Sequence, residues 1–428
     1  MDISLNYGKS QLSVSLPDAL DVSIIRKPEM PLLDDPVAAL EAAFANPAGG
    51  APLAELAAGA TTACILICDI TRPVPNGVFL APLLRALLAA GLDKANITIL
   101  VATGLHRPNE GDELAELVGD PWVLENFRVE NHFARDDAAH VSLGRTRSGT
   151  VVKIDKRFVN ADVRIATGLV EPHFMAGWSG GRKVIAPGVA HAETITTFHS
   201  ARFMEQAACA NCILDGNPLH EEQLEIMAML GGASALNVVI DEARRISLIN
   251  FGEVVESHLA AVDHVRGYAE VGVPERFRTV VTSAAGYPLD KTYYQTVKGM
   301  VGPLDILEPG GTLVIASACS EGMGSAEYVA SQRRLIEIGA EQFLRGIEAK
   351  SHAAVDEWQT EMLLKPLRIG RVCLYTDGLS EAEFALTGVT PVASVAAAVA
   401  EAVAAAGDNR VAVIPEGPYV VPRYRPES

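Results

Sequence analysis

ACILICDITRPVPNGVFLAPLLRALLAAGLDKANITILVA, residues 63–102, contains two continuous apolar runs separated by a longer apolar segment that ends at Gly91. Short apolar runs without alternation are typical of strands buried on both faces, and the segment between them has the length of a helix. The stretch therefore predicts a β-strand, a helix and a second strand. Such a unit requires a parallel sheet covered by helices, so the fold class is α/β.

The same alternation continues along the chain. Two further strands, DVRIATG at 162–168 and ALNVVID at 235–241, extend the first sheet. The pattern restarts with FRTVVTSAA at 277–285, GTLVIASAC at 311–319, RVCLYTDG at 371–378 and RVAVIPEG at 410–417. We therefore expect two α/β domains with largely parallel sheets and an interdomain active-site cleft. The expected bounds are 1–265 for the N-terminal domain, 275–410 for the C-terminal domain and 411–428 for a tail that packs back on the first.

Composition restricts the possible functions. The 428 residues are 49% hydrophobic and 21% charged, which excludes an intrinsically disordered protein. The formal charge of 35 − 53 = −18 repels nucleic acid and anionic lipid, so we expect a small-molecule ligand and neither of those partners. No signal sequence or membrane-spanning stretch is recognisable, so the prediction is a cytoplasmic protein. Cys209 and Cys212 form a single C-x-x-C pair, which favours neither a zinc site nor a redox site.

Polar residues follow three of the predicted strands. They are Asp69-Ile70-Thr71-Arg72, then Thr103-Gly104-Leu105-His106, and then Glu171-Pro172-His173. Because ligands bind beyond the carboxyl ends of strands in open α/β sheets, these loops are expected to share one edge. A single histidine would usually be a structural loop residue, but an arginine and two histidines on three separate loops favour an active site.

The segment EPHFMAGWSGGRKVIAPG, residues 171–188, is rich in small residues around Arg182 and Lys183. Gly180 and Gly181 are expected to form an anion-binding nest of main-chain N–H groups for a phosphorylated cofactor. The alternative is a glycine-rich surface turn with solvated basic residues. The following segment, AETITTFHSARF at 192–203, predicts a helix with His199 partly buried on one of its faces.

Two further patterns leave alternatives open. Tyr294, Gln295 and Lys298 share a face of the helix predicted for TYYQTVKGM, where they either bind a carboxylate or form an exposed amphipathic surface. Ser179 fits G-x-S-x-G, which raises a serine hydrolase as a minor alternative. A nucleophile elbow, however, requires a sharp strand-to-helix turn directly at the serine, and a long loop precedes Ser179.

Together, DITRPVP, TGLHR, EPHFMAGWSGGRK, FHS and YYQTVKG resemble the motifs of the nickel-dependent lactate racemase family, in the same order and continuing to Trp358. The resemblance implies a nickel-pincer nucleotide, which is pyridinium-3-thioamide-5-thiocarboxylic acid mononucleotide, bound covalently to Lys183. It implies Ni(II) ligation by His199, and maturation by the enzymes that make the cofactor. Soft sulfur donors with one imidazole suit Ni(II).

The resemblance also implies individual roles. His106 and His173 are the catalytic acid/base pair, and Arg72, Gln295 and Lys298 bind substrate. Implied cofactor contacts are Asp69, Ile70, Thr71, Arg72, Ser179, Gly180, Lys183, Tyr294, Gln295, Lys298 and Trp358.

The implied reaction is racemisation or epimerisation of a lactate-like 2-hydroxy acid by reversible hydride transfer from C2. One base cannot reach the hydroxyl of both enantiomers when the carboxylate is fixed, which explains two histidines on different loops. Apolar Ile70, Phe174 and Trp178 point to an apolar pocket wall. The alternative of another class is a nickel or nucleotide carrier without catalysis.

Overall fold

The computed structural model describes residues 1–426. Its strands, in chain order, are β1 Asp2–Tyr7, β2 Ser10–Ser15, β3 Asp21–Ile24, β4 Ala63–Cys68, β5 Ile97–Ala102, β6 Arg128–Asn131, β7 His140–Arg145, β8 Val151–Asp155, β9 Val163–Leu169, β10 Pro172–His173, β11 Gly177–Trp178, β12 Ser234–Ile240, β13 Ile246–Glu253, β14 Glu270–Val273, β15 Phe277–Ser283, β16 Leu307–Ala316, β17 Arg371–Tyr375, β18 Thr390–Pro391, β19 Arg410–Ile414 and β20 Val421–Tyr424.

The α-helices are α1 Pro36–Ala45, α2 Leu53–Ala57, α3 Asn76–Ala89, α4 Gly111–Val118, α5 Pro121–Asn126, α6 Lys156–Val159, α7 Arg182–Ile185, α8 Ala192–Phe198, α9 Ala201–Met204, α10 Pro218–Leu230, α11 Val254–Ala269, α12 Tyr293–Val301, α13 Ala326–Ile338, α14 Ala340–Glu348, α15 Glu357–Ile369, α16 Glu381–Phe384 and α17 Val395–Ala406. Short 3₁₀ helices lie at Lys94–Asn96, Asp137–Ala139 and Gly417–Tyr419. None of the helices in residues 1–426 is long and apolar enough to cross a membrane.

The chain forms two compact units. The central unit contains residues 29–198 and 213–266, and the terminal unit contains residues 1–28, 199–212 and the chain from 267 onward. This division differs from the predicted bounds of 1–265, 275–410 and 411–428. The first strands of the chain join the terminal unit, because β3 pairs with β19. The tail also stays there, because β20 pairs with β14.

The central unit is built on a six-stranded sheet with the order β13-β12-β9-β4-β5-β6. All neighbours are parallel except the edge pair β12 and β13. Its middle strands are continuous apolar runs, as expected for a sheet covered on both faces. Ile65, Ile99 and Ile165 from adjacent strands pack into one core with Leu80 and Leu84 of α3. The next strand after β4, β5, lies on one side of β4, and the later strand β9 lies on its other side. The strand order therefore reverses between β4 and β9, and ligands bind at such switch points in open α/β sheets.

The terminal unit has its own six-stranded sheet, with the order β18-β17-β16-β15-β19-β3, and all five pairs are parallel. The Ala-rich helix α17 packs through Val395 and Val399 against apolar residues of this sheet. The predicted fold class, α/β with largely parallel sheets, is confirmed in both units.

Close packing around the Gly180–Gly181 pair explains why this turn has no side chains. Gly181 has φ +48°, and a Cβ placed on it would lie 2.6 Å from Cβ of His258 on α11. A Cβ on Gly180, which has φ +78°, would lie 2.7 Å from a methyl group of Val170. The two glycines therefore let the turn before α7 lie directly against β9 and α11.

Replacing Gly181 with alanine is expected to destabilise the fold by about 3 kcal/mol, because it combines backbone strain with overpacking against His258. The control is Gly59→Ala, since Gly59 has φ +77° and open space around it. That substitution adds only backbone strain, which is expected to lower the free energy of unfolding by about 1 kcal/mol. Denaturant unfolding of both variants measures the difference, and equal losses would contradict the packing argument.

Candidate active site

The carboxyl ends of β4 and β5 bring an aspartate and a histidine together. Nδ1 of His106 lies 2.6 Å from a carboxylate oxygen of Asp69, whose other oxygen accepts hydrogen bonds from the Thr71 hydroxyl and main-chain N–H. Burial raises the pKa of Asp69, but the charge and hydrogen bond of His106, helped by Thr71 and Arg72, lower it to about 2. A permanently charged carboxylate therefore orients His106, whose side chain is 47% exposed.

Arg72 connects the loop after β4 to the loop after β9. Its Nε is 3.7 Å from a carboxylate oxygen of Glu171, directly after β9, and its guanidinium also donates to the Thr71 carbonyl. The main-chain N–H of the neighbouring Ile70 donates to the side-chain oxygen of Asn109. The loops after β4 and β9 are therefore joined at the switch point, with a cation between them.

His173 is held differently from His106. It lies in the short hairpin of β10 and β11, and its Nδ1 accepts main-chain hydrogen bonds from Met175 at 3.3 Å and Ala176 at 3.1 Å. A neutral ring in this setting carries its proton on Nε2, whereas the Asp69 contact places the His106 proton on Nδ1. The two histidines thus present opposite hydrogen-bonding character.

Lys183 lies in the first turn of α7, at the edge where β4 and β9 end. Burial, with the positive charges of Arg72 and Arg182 and against the negative charge of Asp69, lowers the pKa of its amine to about 7. A lysine of this kind is nucleophilic at neutral pH, because a large fraction of it is uncharged.

The preceding turn bears on two interpretations that the sequence left open. The N–H of Gly181 donates to the side chain of Asn237 at 3.2 Å, so it does not contribute to the expected anion-binding nest. The hydroxyl of Ser179 donates to the carbonyl of Leu169 at 2.8 Å and accepts from the N–H of Glu171. This hydroxyl fixes the loop and is not activated by a histidine, so the arrangement does not support the hydrolase alternative.

In the terminal unit, His199 packs against Trp358, with ring centroids 4.9 Å apart and ring planes tilted by 44°. The indole N–H of Trp358 donates to the hydroxyl of Tyr294 at 3.3 Å, and the Tyr294 carbonyl accepts from Gln359. The expectation of a helix across 192–203 is wrong at one point, because α8 ends at Phe198 and α9 begins at Ala201. His199 therefore lies in a break between two helices.

The segment that carries His199 is tied to α15 by charged groups. Arg368 binds both carboxylate oxygens of Glu205, at 2.8 and 3.0 Å, and Lys365 donates to the carbonyl of Cys209. Glu361 is buried beside them, and burial together with the charge of Glu205 raises its pKa to about 9. Burial likewise raises the pKa of the Cys209 thiol to about 12, which keeps it uncharged.

Helix α12 places Gln295 and Lys298 after β15, at the carboxyl edge of the terminal sheet. Thr292 caps this helix through a hydrogen bond from the N–H of Gln295 at 3.3 Å. The side-chain oxygen of Gln295 is buried and has no hydrogen-bond partner among the described residues. Because buried polar atoms are nearly always satisfied in a folded protein, this oxygen is suited to a ligand.

Sequence reasoning missed His220 and His258, which contact Arg182 from α10 and α11. Neither lies at the end of a strand or within a recognisable motif, and they are 38 and 76 residues from Arg182. It also gave Asp69 only a cofactor role, whereas the structure shows that Asp69 orients His106. The sequence signal for that contact was available, because both residues directly follow neighbouring strands.

Comparisons with known proteins agree on one class. Residues 7–211 match the lactate racemase N-terminal domain, and residues 275–421 match the lactate racemase C-terminal domain. The lactate racemase of Thermoanaerobacterium thermosaccharolyticum is 31% identical over 99% of this chain and all of its own length. The lactate racemase of Lactiplantibacillus plantarum is 34% identical over 68% of each chain.

Solved structures give the same result. The lactate racemase apoprotein from T. thermosaccharolyticum superposes with a TM-score of 0.91, covering 99% of this chain and 100% of that chain at 31% identity. A Thermotoga maritima protein with 17% identity, covering 87% of this chain and 96% of its own, has a TM-score of 0.66 and shares the fold. The fold and the site therefore define an α/β isomerase of the racemase class. The chain belongs to the lactate racemase family, which confirms the resemblance seen in the motifs.

Proposed function

We propose that this chain racemises or epimerises a lactate-like 2-hydroxy acid, using a nickel-pincer nucleotide attached to Lys183. The observation that carries the proposal is the amine of Lys183, whose pKa burial and the charge of Arg72 lower to about 7. A covalent cofactor requires such a nucleophile, and an anionic substrate requires the neighbouring cation.

The side chains present fit this cofactor. Among the described residues, no three His, Cys, Asp or Glu side chains are grouped so that they could hold a metal ion. A nickel site here would therefore rely on donors from the cofactor, with His199 as a single protein ligand. The buried unsatisfied oxygen of Gln295 and the indole of Trp358 are available as further contacts, and the enzymes that make the cofactor are the implied maturation partners.

When bound, the nickel-pincer nucleotide would supply an acceptor for the hydride of C2. Arg72 binds the substrate carboxylate, as a guanidinium does through paired hydrogen bonds, and holds C2 in place. Nε2 of His106 accepts the hydroxyl proton while Asp69 stabilises the resulting imidazolium. On the opposite side His173 gives a proton from Nε2 to the hydroxyl of the other enantiomer, so that one proton is taken by His106 and one is returned by His173, and exchange with solvent restores both rings. Gln295 and Lys298 are proposed to contact the substrate or cofactor.

The carrier alternative predicts the same loading without turnover. The close His106–Asp69 pair favours an enzyme, because a carrier has no need of an oriented base. The test is to co-express the chain with the cofactor-making enzymes and to measure the intact mass, the nickel content and the racemisation of D- and L-lactate. A nucleotide adduct on the Lys183 peptide with racemisation supports the proposal. Adduct without turnover of any 2-hydroxy acid favours the carrier, and absence of adduct beside a loaded positive control rejects the cofactor.

A further inference from the structure

Arg182 is a buried charge that has no acidic partner within residues 1–426. The residue is 0% exposed, and all its hydrogen bonds go to uncharged groups. Burial alone lowers the pKa of its guanidinium to about 9, with no carboxylate to counteract it. Isolated buried charges are costly, so a fold that keeps one in a rigid setting does so at the expense of stability.

Two histidines accept hydrogen bonds from this guanidinium. Nε of Arg182 donates to Nδ1 of His220 at 2.7 Å, and Nη1 lies 3.3 Å from Nδ1 of His258, whose Nε2 donates to the carbonyl of Ser179 at 2.8 Å. Burial and the charge of Arg182 lower the pKa of His220 to about 3 and hold that of His258 well below its usual value. Both rings are therefore neutral at neutral pH.

The other donors of the guanidinium reach the hairpin that carries His173. Nη2 donates to the carbonyl of Ala176 at 3.2 Å, and Nη1 approaches the carbonyl of Trp178 at 3.5 Å. The N–H of Ala176 in turn donates to Nδ1 of His173. The peptide groups around Ala176 are thus fixed by Arg182 on one side and by His173 on the other.

Arg182 also begins the helix that contains Lys183. It is the first residue of α7, so its position fixes the backbone from which the lysine side chain extends. If a carboxylate replaced His220 and His258, it would neutralise the positive charge of Arg182. Neutral acceptors satisfy the guanidinium and leave that charge in place.

We propose that Arg182 is a positioning residue, which joins the hairpin of His173 to the turn of Lys183 and supplies a positive charge from the residue that precedes Lys183 in α7. Histidines 220 and 258 hold it as neutral acceptors. The inference rests on the proposed function for the roles of Lys183 and His173, but the contacts themselves do not depend on the cofactor.

The test compares Arg182→Met with Arg182→Lys. The methionine removes both the guanidinium hydrogen bonds and the positive charge, whereas the lysine keeps only the charge. The control is Arg147→Met, because Arg147 is a surface arginine whose side chain is 89% exposed. Two readouts are taken on the cofactor-free chain. The first is the pH profile of Lys183 acetylation by acetic anhydride, resolved by peptide mass spectrometry, and the second is amide hydrogen exchange of residues 173–181.

We expect the acetylation midpoint, near pH 7 in the parent, to rise by a fraction of a unit in Arg182→Met and to stay near its parent value in Arg182→Lys. Exchange in residues 173–181 is expected to accelerate about tenfold or more in both variants. Equal midpoint shifts in the two variants would overturn the role of the charge. Unchanged exchange in both would overturn the positioning role.

Should both Arg182 variants fail to fold, His220→Phe tests the positioning role, because it removes one acceptor and leaves the charge. It is expected to accelerate exchange in the hairpin without moving the midpoint, and parent-like exchange would overturn the inference. Neither readout requires cofactor. A chain that never acquires the nickel nucleotide would therefore reject the proposed function while this inference is still tested on its own.

Discussion

Replacing Lys183 with alanine is expected to abolish covalent loading of the nickel nucleotide and to lower racemisation by at least about 10³-fold. The reason is that the amine of Lys183 has a pKa of about 7, because of burial and the neighbouring Arg72. It is therefore partly uncharged at neutral pH, whereas a solvated lysine is almost entirely protonated.

The matched control is Lys183→Arg, which keeps a positive charge at the start of α7 but offers a group that remains protonated. If the lysine acts by charge alone, Lys183→Arg will load and turn over like the parent. If it acts as a nucleophile, Lys183→Arg will be as inactive as Lys183→Ala. Intact mass, nickel content and D- to L-lactate conversion measure all three proteins, and an adduct or near-parent activity in Lys183→Ala would contradict the prediction.

The sequence predicted the central sheet well because its strands are buried on both faces. The apolar runs of β4 and β9 have no alternating or helical periodicity and are typical of fully buried strands. Because the two strands are parallel neighbours, the polar residues that follow them, Asp69 and Glu171, lie at the same edge of the sheet. The contact between Asp69 and His106 follows from this geometry. Strand identity and the loops after the strands are therefore the part of a site that one sequence can predict.

The break at His199 could not be predicted from periodicity. Residues 192–203 have helical spacing, but the hydroxyls of Thr196 and Thr197 bond to carbonyls four residues earlier, at 2.9 and 2.7 Å. Such side-chain bonds compete with helix continuation. The chain also passes from one compact unit to the other between Phe198 and His199, a tertiary feature without a local signal.

The histidine pair shows what only coordinates supply. Both histidines follow strands in the sequence and look equivalent there. In the structure, Nδ1 of His106 binds the Asp69 carboxylate, whereas Nδ1 of His173 accepts two main-chain N–H groups. These contacts fix opposite neutral tautomers, with the proton on Nδ1 of His106 and on Nε2 of His173. Nitrogen-15 NMR of the cofactor-free chain is expected to show this difference directly.

His106→Ala and His173→Ala are each expected to lower net racemisation by about 10³-fold while cofactor loading is retained, because each removes a proton-transfer group for one enantiomer. Asp69→Asn, which removes the charge that orients His106, is expected to lower kcat by about 10² to 10⁴-fold. The surface variant His352→Ala should behave like the parent.

Enantiomers have an equilibrium constant of one, so any variant must lower kcat/KM equally in both directions. The asymmetry of the two histidines can therefore appear only in the separate kcat and KM values for D- and L-substrate. Full activity in either alanine variant would remove the two-base scheme. Loss of activity with identical kcat and KM changes for both enantiomers would instead show that the two tautomers have no separate roles in turnover.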